Sequence, residues 1–195
     1  LSNSGINRAN EHARERKILN LKFIQGDAVT IPFDENSCDA VIALSFLHHI
    51  DDNSISKLIS SAHRVLKPGG LFIFTTLVDG TLFELKSSWA QVDDDKHVID
   101  FKSEAEMVDK FDSAQAKLLE HNVQDVILEY ENVLHLVHEL KGLGATRVAK
   151  KQNKGLGGRS KWLQMTESYK DFLEPNDIYP ATYRVFSGMA VKLNN

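Results

Sequence analysis

The chain has 195 residues, 42% of them hydrophobic and 26% charged, and its 23 basic and 27 acidic side chains leave a formal charge of −4. That profile belongs to a folded, soluble domain and excludes a disordered chain. About 70% of the extended surface can be buried at this length, so one domain is expected. The slight acidity argues against broad binding to nucleic acid or to anionic membranes.

Cys38 is the single cysteine, which excludes an intramolecular disulfide and a Cys-rich zinc site and suits a reducing, cytoplasmic setting. The longest apolar runs, Ala40 to Leu47 and Leu71 to Phe74, fall far short of the ~20 residues of a membrane helix. No charged segment leads into an apolar one after Leu1, so no signal peptide is read.

In chain order, Lys22 to Gln25 reads as a strand closed by Gly26, Asp27 and Ala28, and Ala40 to Leu44 as a second strand. A helix follows. Ile55, Leu58, Ile59, Ala62, Val65 and Leu66 recur at helical spacing, with Asp52 or Asn53 as the cap and Pro68 as the stop. The tract Lys67-Pro68-Gly69-Gly70 is a tight turn, since proline sets φ and glycine accepts positive φ, and it delivers the chain into a strand over Leu71 to Leu77. This alternation predicts a parallel α/β sheet. Further on, helices are expected through Leu82, Leu85, Trp89 and Val92, and after the capping box Ser103 to Glu106. A strand over Val123 to Tyr130, a helix through Val133, Leu136, Val137 and Leu140, a helix through Trp162, Met165, Tyr169 and Phe172, and a strand over Thr182 to Leu193 complete the pattern.

Gly26 and Asp27 stand at the carboxyl end of a strand, where open α/β sheets bind ligands; taken alone, a solvated strand-end turn is the simpler explanation. His48 and His49, followed by Asp51 and Asp52, offer metal-ligand types, but adjacent residues do not converge on one ion and further ligands are not identifiable, so a polar helix start is the expectation. The run Gly155 to Gly158 lacks P-loop spacing and is read as a loop.

The segments Cys38 to Ile50 and His63 to Leu71 resemble the middle motifs of class I S-adenosylmethionine-dependent methyltransferases. The later run Phe74 to Leu85, with Trp89, Val92-Asp93, His97 and Phe101, resembles the malonyl-[acyl-carrier protein] O-methyltransferases of biotin synthesis, as do Leu140 to Thr146 and Tyr179 to Phe186. The likeness implies an α/β fold with a Rossmann-like class I methyltransferase sheet, mostly parallel with an antiparallel C-terminal strand. The family's glycine-rich first motif and its ribose-binding acid have no counterpart, so the first strands are expected to be missing. Residues 1–195 would form one N-terminally truncated methyltransferase domain, with substrate-side helical insertions near 79–112 and 132–173. Such a chain alone is expected to be inactive and to bind the methyl donor poorly.

The resemblance implies methyl transfer from S-adenosylmethionine, without a metal, to the free carboxylate of malonyl-acyl carrier protein, so that the masked end primes pimeloyl and biotin synthesis. The carboxylate is already ionised at neutral pH, which removes the need for a general base. Gly26, Asp27, Ala28, Leu44 and Ser45 would line the donor. Arg147 would hold the substrate carboxylate, with Trp89, His97 and Tyr183 shaping the pocket, although core packing explains Trp89 and Tyr183 equally and Arg147 suits a solvated surface. Lys141, Arg147, Lys150, Lys151, Lys154, Arg159 and Lys161 place seven positive charges in a stretch free of acids, leaving −11 on the remainder. Lys150, Lys151, Lys154 and Arg159 are candidates for docking the acidic carrier protein, against the alternative of a solvated loop. Sparse aromatics there disfavour nucleic acid. Two other functions fit less of the sequence: a class I methyltransferase for a small metabolite, and a non-catalytic carrier-binding module.

Overall fold

The computed structural model describes residues 3–114, 116–142, 157–175 and 177–193. An N-terminal helix α1 (Asn3–Glu15) precedes irregular chain as far as β1 (Cys38–Ala43). A one-turn 3-10 helix (Leu47–His49) leads into α2 (Asp52–Val65) and β2 (Leu66–Leu77). Then come α3 (Phe83–Ala90), α4 (Glu104–Ser113), β3 (Lys117–Tyr130), α5 (Val133–Gly142), α6 (Gly157–Tyr169), a short 3-10 turn (Lys170–Phe172) and β4 (Tyr179–Val191).

The four strands form one sheet in the order β1-β2-β4-β3. β1 is parallel to β2, and β4 runs antiparallel to both β2 and β3. Three strands therefore share a direction and the C-terminal strand opposes them, as the sequence predicts. The expected strand over Lys22 to Gln25 does not form. A strand needs a neighbour to satisfy its backbone, and no described strand pairs with this stretch or with the outer edge of β1.

α2 forms because Ile55, Leu58, Ile59, Ala62 and Val65 make one buried stripe. Its cap is Asp51, not Asp52 or Asn53: the Asp51 carboxylate accepts from Ser54 N at 3.0 Å and from Ser54 Oγ at 2.6 Å. The Asp52 carboxylate is instead taken by Lys102 and by Lys110 Nζ, the latter at 2.7 Å. Arg64 does more than complement the helix end, since its guanidinium donates to the carbonyls of Ile31 and Phe33 at 2.8 and 3.0 Å and pins the preceding loop.

β2 begins five residues earlier than the alternation suggests, because Leu66 pairs with Cys38 before the Lys67 to Gly70 turn bulges outward and Leu71 resumes opposite Ala40. Gly69 has φ +77, and a Cβ on Gly70 would meet the Lys67 carbonyl oxygen at 2.8 Å. β3 and β4 likewise start earlier than expected, at Lys117 and Tyr179, because they pair with each other over almost their whole length.

One sheet face carries the main core. Phe72 and Phe74 of β2, Phe186 and Ala190 of β4, the α2 stripe, and Met107 and Phe111 of α4 pack together there. Phe74 stacks on Phe111 with centroids 4.4 Å apart. It lies opposite Gly188, where a Cβ would stand 2.7 Å from the Phe74 ring. A second cluster joins Leu82 and Leu85 with Leu136 and Leu140 of α5, and with Met165 and Tyr169 of α6. The buried Tyr169 hydroxyl donates to the Pro180 carbonyl at 2.7 Å. Glu84, 2% exposed, ties this helical layer to β4, accepting from Thr182 N at 3.1 Å and Thr182 Oγ1 at 2.5 Å.

Candidate active site

A cavity of about 740 Å³ lies between the carboxyl ends of β1 and β2 and the helical layer. Ser45, His48, Leu77, Leu85, His97 and Tyr183 are among the residues that line it. Its floor is mainly apolar, and its few polar groups converge from distant parts of the chain, which is the usual composition of a small-molecule site.

Ser45, just beyond β1, adopts φ +48. A left-handed serine costs of order 1 kcal/mol or more and persists only where its surroundings hold it. Here its N–H donates to Thr75 Oγ1 at 2.9 Å. His48 sits one turn on, its Nδ1 accepting from Leu77 N at 3.2 Å and standing 3.2 Å from Thr76 Oγ1. Burial, reinforced by the neighbouring His49, pushes the His48 pKa down to about 4. The His48 and His49 rings are 4.1 Å apart and tilted, and His48 also meets Phe101.

On the opposite wall, His97 Nε2 donates to Asp93 Oδ1 at 2.7 Å, and Lys161 Nζ donates to Asp93 Oδ2 at 2.7 Å. The Lys161 ammonium, followed by His97, holds the Asp93 carboxyl down at about 2, and Asp93 raises Lys161 in return. The Trp89 indole stacks on the His97 ring. Asp93, Asp95 and His97 bring ligand atoms within 4.8 Å of one another, but both Asp93 oxygens are already engaged by side chains. Tyr183 also lines the cavity, and its hydroxyl, like that of Tyr130, is buried. Burial raises both phenols above their ordinary range.

Three of the expected site residues thus meet: Ser45, His97 and Tyr183 line one cavity, with Trp89 stacked on His97. Gly26, Asp27, Ala28 and Leu44 are not among its lining residues. Gly26 to Ala28 lie in exposed chain where Asp27 Oδ1 accepts from Val29 N at 3.0 Å, and Leu44 is 63% exposed. Arg147, Lys150, Lys151 and Lys154 lie outside the described residues. Arg159 is exposed on α6. His48 belongs to the cavity wall although its sequence suggested only a helix start; the signal was a histidine in the short segment that follows a strand's carboxyl end.

Comparison with known proteins agrees with this architecture. The family model described as a methyltransferase domain matches residues 1–74. A SAM-dependent methyltransferase structure from Methanosarcina mazei superposes with a TM-score of 0.59 at 14% identity, covering 100% of this chain and 80% of that one. The chain has the class I methyltransferase fold.

Within that class its relatives are specific. Malonyl-[acyl-carrier protein] O-methyltransferase 1 of Coxiella burnetii is 33% identical over 175 residues, 89% of this chain and 60% of that protein. The biotin biosynthesis bifunctional protein BioHC of Teredinibacter turnerae is 35% identical over 161 residues, 83% of this chain and 28% of that protein. The chain is thus similar to malonyl-[acyl-carrier protein] O-methyltransferases over most of its own length and spans less than two thirds of these relatives.

Proposed function

We propose that the chain supplies the substrate side of a methyltransferase that esterifies the free carboxylate of a malonyl group on acyl carrier protein, with S-adenosylmethionine as methyl donor. The carrying observation is the cavity itself: an apolar chamber at the strand ends whose polar groups come from the segments that resemble this family. When bound, the donor supplies an electrophilic methyl on a sulfonium. Ser45, at the β1 end, fits the donor side of the cavity, and Asp27 is proposed as a further acceptor for the donor from the exposed chain before β1. The residues that would grip the donor's ribose have no counterpart in these 195 residues, so the fit covers only part of the donor.

The chain's own residues act by placement. An ionised carboxylate needs no base, so proximity and water exclusion carry the acceleration, on the order of 7 kcal/mol in the best cases. Leu77, Leu85 and Val185 exclude water, while Tyr183 and His97 shape the polar end. Asp93 and Trp89 hold the His97 ring in place. Arg147 is proposed to attract the incoming anion, and the basic stretch around Lys150, Lys151, Lys154 and Arg159 to meet the acidic carrier. The segments 79–112 and 132–173 are proposed as the substrate-side insertion of a single domain.

The test is transfer of labelled methyl to malonyl- against acetyl-carrier protein by a protein that carries these residues behind a class I glycine-rich first motif. Label on the malonyl form alone is expected, with or without a chelator. Equal labelling of both would refute the carboxylate assignment, since acetyl has no free acid. The 195-residue chain alone is expected to bind S-adenosylhomocysteine weakly in calorimetry.

A further inference from the structure

Among the groups lining the cavity, His48 has its proton position dictated by the backbone. Leu77 N–H donates to Nδ1, so Nδ1 carries no proton. The ring is uncharged at neutral pH because burial disfavours the imidazolium, and a neutral ring with a bare Nδ1 keeps its proton on Nε2. Thr76, itself buried, can donate its hydroxyl to the same Nδ1 at 3.2 Å. Phe101 and His49 flank the ring. The cavity wall therefore presents an N–H donor without a charge, three residues from Ser45.

The reaction proposed above consumes charge. A carboxylate oxygen forms the new C–O bond, the S–CH3 bond breaks, and its electron pair stays on sulfur, so the negative carboxylate and the positive sulfonium both become neutral. A cation gripping the other oxygen would stabilise the reactants more than the transition state, and only the difference between the two affects the rate. A neutral donor holds the oxygen while losing far less as the charge disappears. We propose that the His48 Nε2–H binds the non-attacking oxygen of the substrate carboxylate and acts as a positioning residue for in-line transfer. This inference rests on the carboxylate reading of the cavity.

The experiment uses the chain as it stands, with malonyl-pantetheine as the probe and long-range proton–nitrogen NMR of the imidazoles as the readout. The neutral Nε2–H tautomer of His48 is expected at pH 7, and its Nε2 proton should shift when the probe is added. His48→Asn keeps an acceptor for Leu77 N–H but lacks the outward donor, and should bind the probe about tenfold more weakly. His48→Gln extends an amide N–H to the Nε2 position and should stay within about threefold of the original. A purely structural role predicts the opposite order. An Nδ1–H tautomer, an imidazolium at pH 7, or equal binding by a folded His48→Asn variant overturns the proposal. A probe that moves the His97 signals and leaves His48 unmoved overturns it too. A probe that moves no cavity signal overturns the carboxylate reading, and the assignment of His48 falls with it.

Discussion

The indole of Trp89 lies flat on the imidazole of His97, with ring centroids 3.7 Å apart and planes 9° from parallel. Together with the Asp93 hydrogen bond, this contact fixes both the position and the rotation of a ring that faces the cavity. A stacked aromatic pair contributes about 0.5–1.5 kcal/mol beyond its buried area. Trp89→Leu should therefore weaken malonyl-pantetheine binding about two- to tenfold in calorimetry. Unchanged affinity in a folded variant would leave His97 without a role at the polar end.

His48 makes the fold sensitive to mild acid. Its pKa in the folded chain, about 4, lies below the ordinary histidine value near ~6.5. Between those values the unfolded chain binds more protons than the folded one, so stability rises with pH across that window and falls on acidification from about 6.5 toward 4. The thermal midpoint of the wild type should drop over this range, and that of His48→Asn should be flatter. Asp93 is displaced in the same direction at lower pH, so its contribution is present above the ordinary carboxylate range and disappears as pH falls toward about 2.

Glu84 accepts from both the amide and the hydroxyl of Thr182 in a site closed to water. Glu84→Gln turns an amide N–H toward one of those donors and leaves buried polar groups unmatched. A loss of about 1–3 kcal/mol is expected in urea denaturation. Thr182→Ser, which keeps both donors, should cost less, and equal losses for the two variants would assign the effect to packing.

In a protein that carries these residues behind a class I glycine-rich first motif, reversing the charges of Lys150, Lys151 and Lys154, alone or with Arg159→Glu, should raise KM for carrier-bound substrate and leave probe binding in the cavity intact. The difference should shrink with added salt, because exposed charges are screened beyond about 8 Å at physiological ionic strength. An unchanged KM at low salt would mean that the carrier docks elsewhere.

The parts of this molecule that were legible in its sequence are those set by local chemistry. The Ser103–Glu106 capping box, the α2 stripe and the Lys67 to Gly70 turn each follow from residues within one or two turns of chain, and each is present. The stretch Lys22 to Gln25 has the composition of a strand, yet strand formation depends on a partner, which composition cannot supply. The cap of α2 moved by one residue because Asp52 found two lysines, Lys102 and Lys110, far along the chain. The same limit applied to the site. Ser45, His97 and Tyr183 could be named from motif segments, whereas the role of His48 depends on a hydrogen bond to Leu77 that spans 29 positions.

The empty side-chain position at Gly188 works as a key for alignment. β4 passes between two strands that run against it, and nothing in backbone pairing alone says how far it should slide. Moving it by one residue would turn its inward side chains out of the core. Moving it by two would set Phe186 or Ala190 opposite Phe74, where a Cβ would stand 2.7 Å from the ring. Only one placement leaves room for the Phe74–Phe111 stack, and the same placement brings Thr182 to Glu84 and Tyr183 to the cavity. A hydrogen atom where every neighbouring residue of β4 has a side chain thus measures out the strand and delivers the substrate wall to its address.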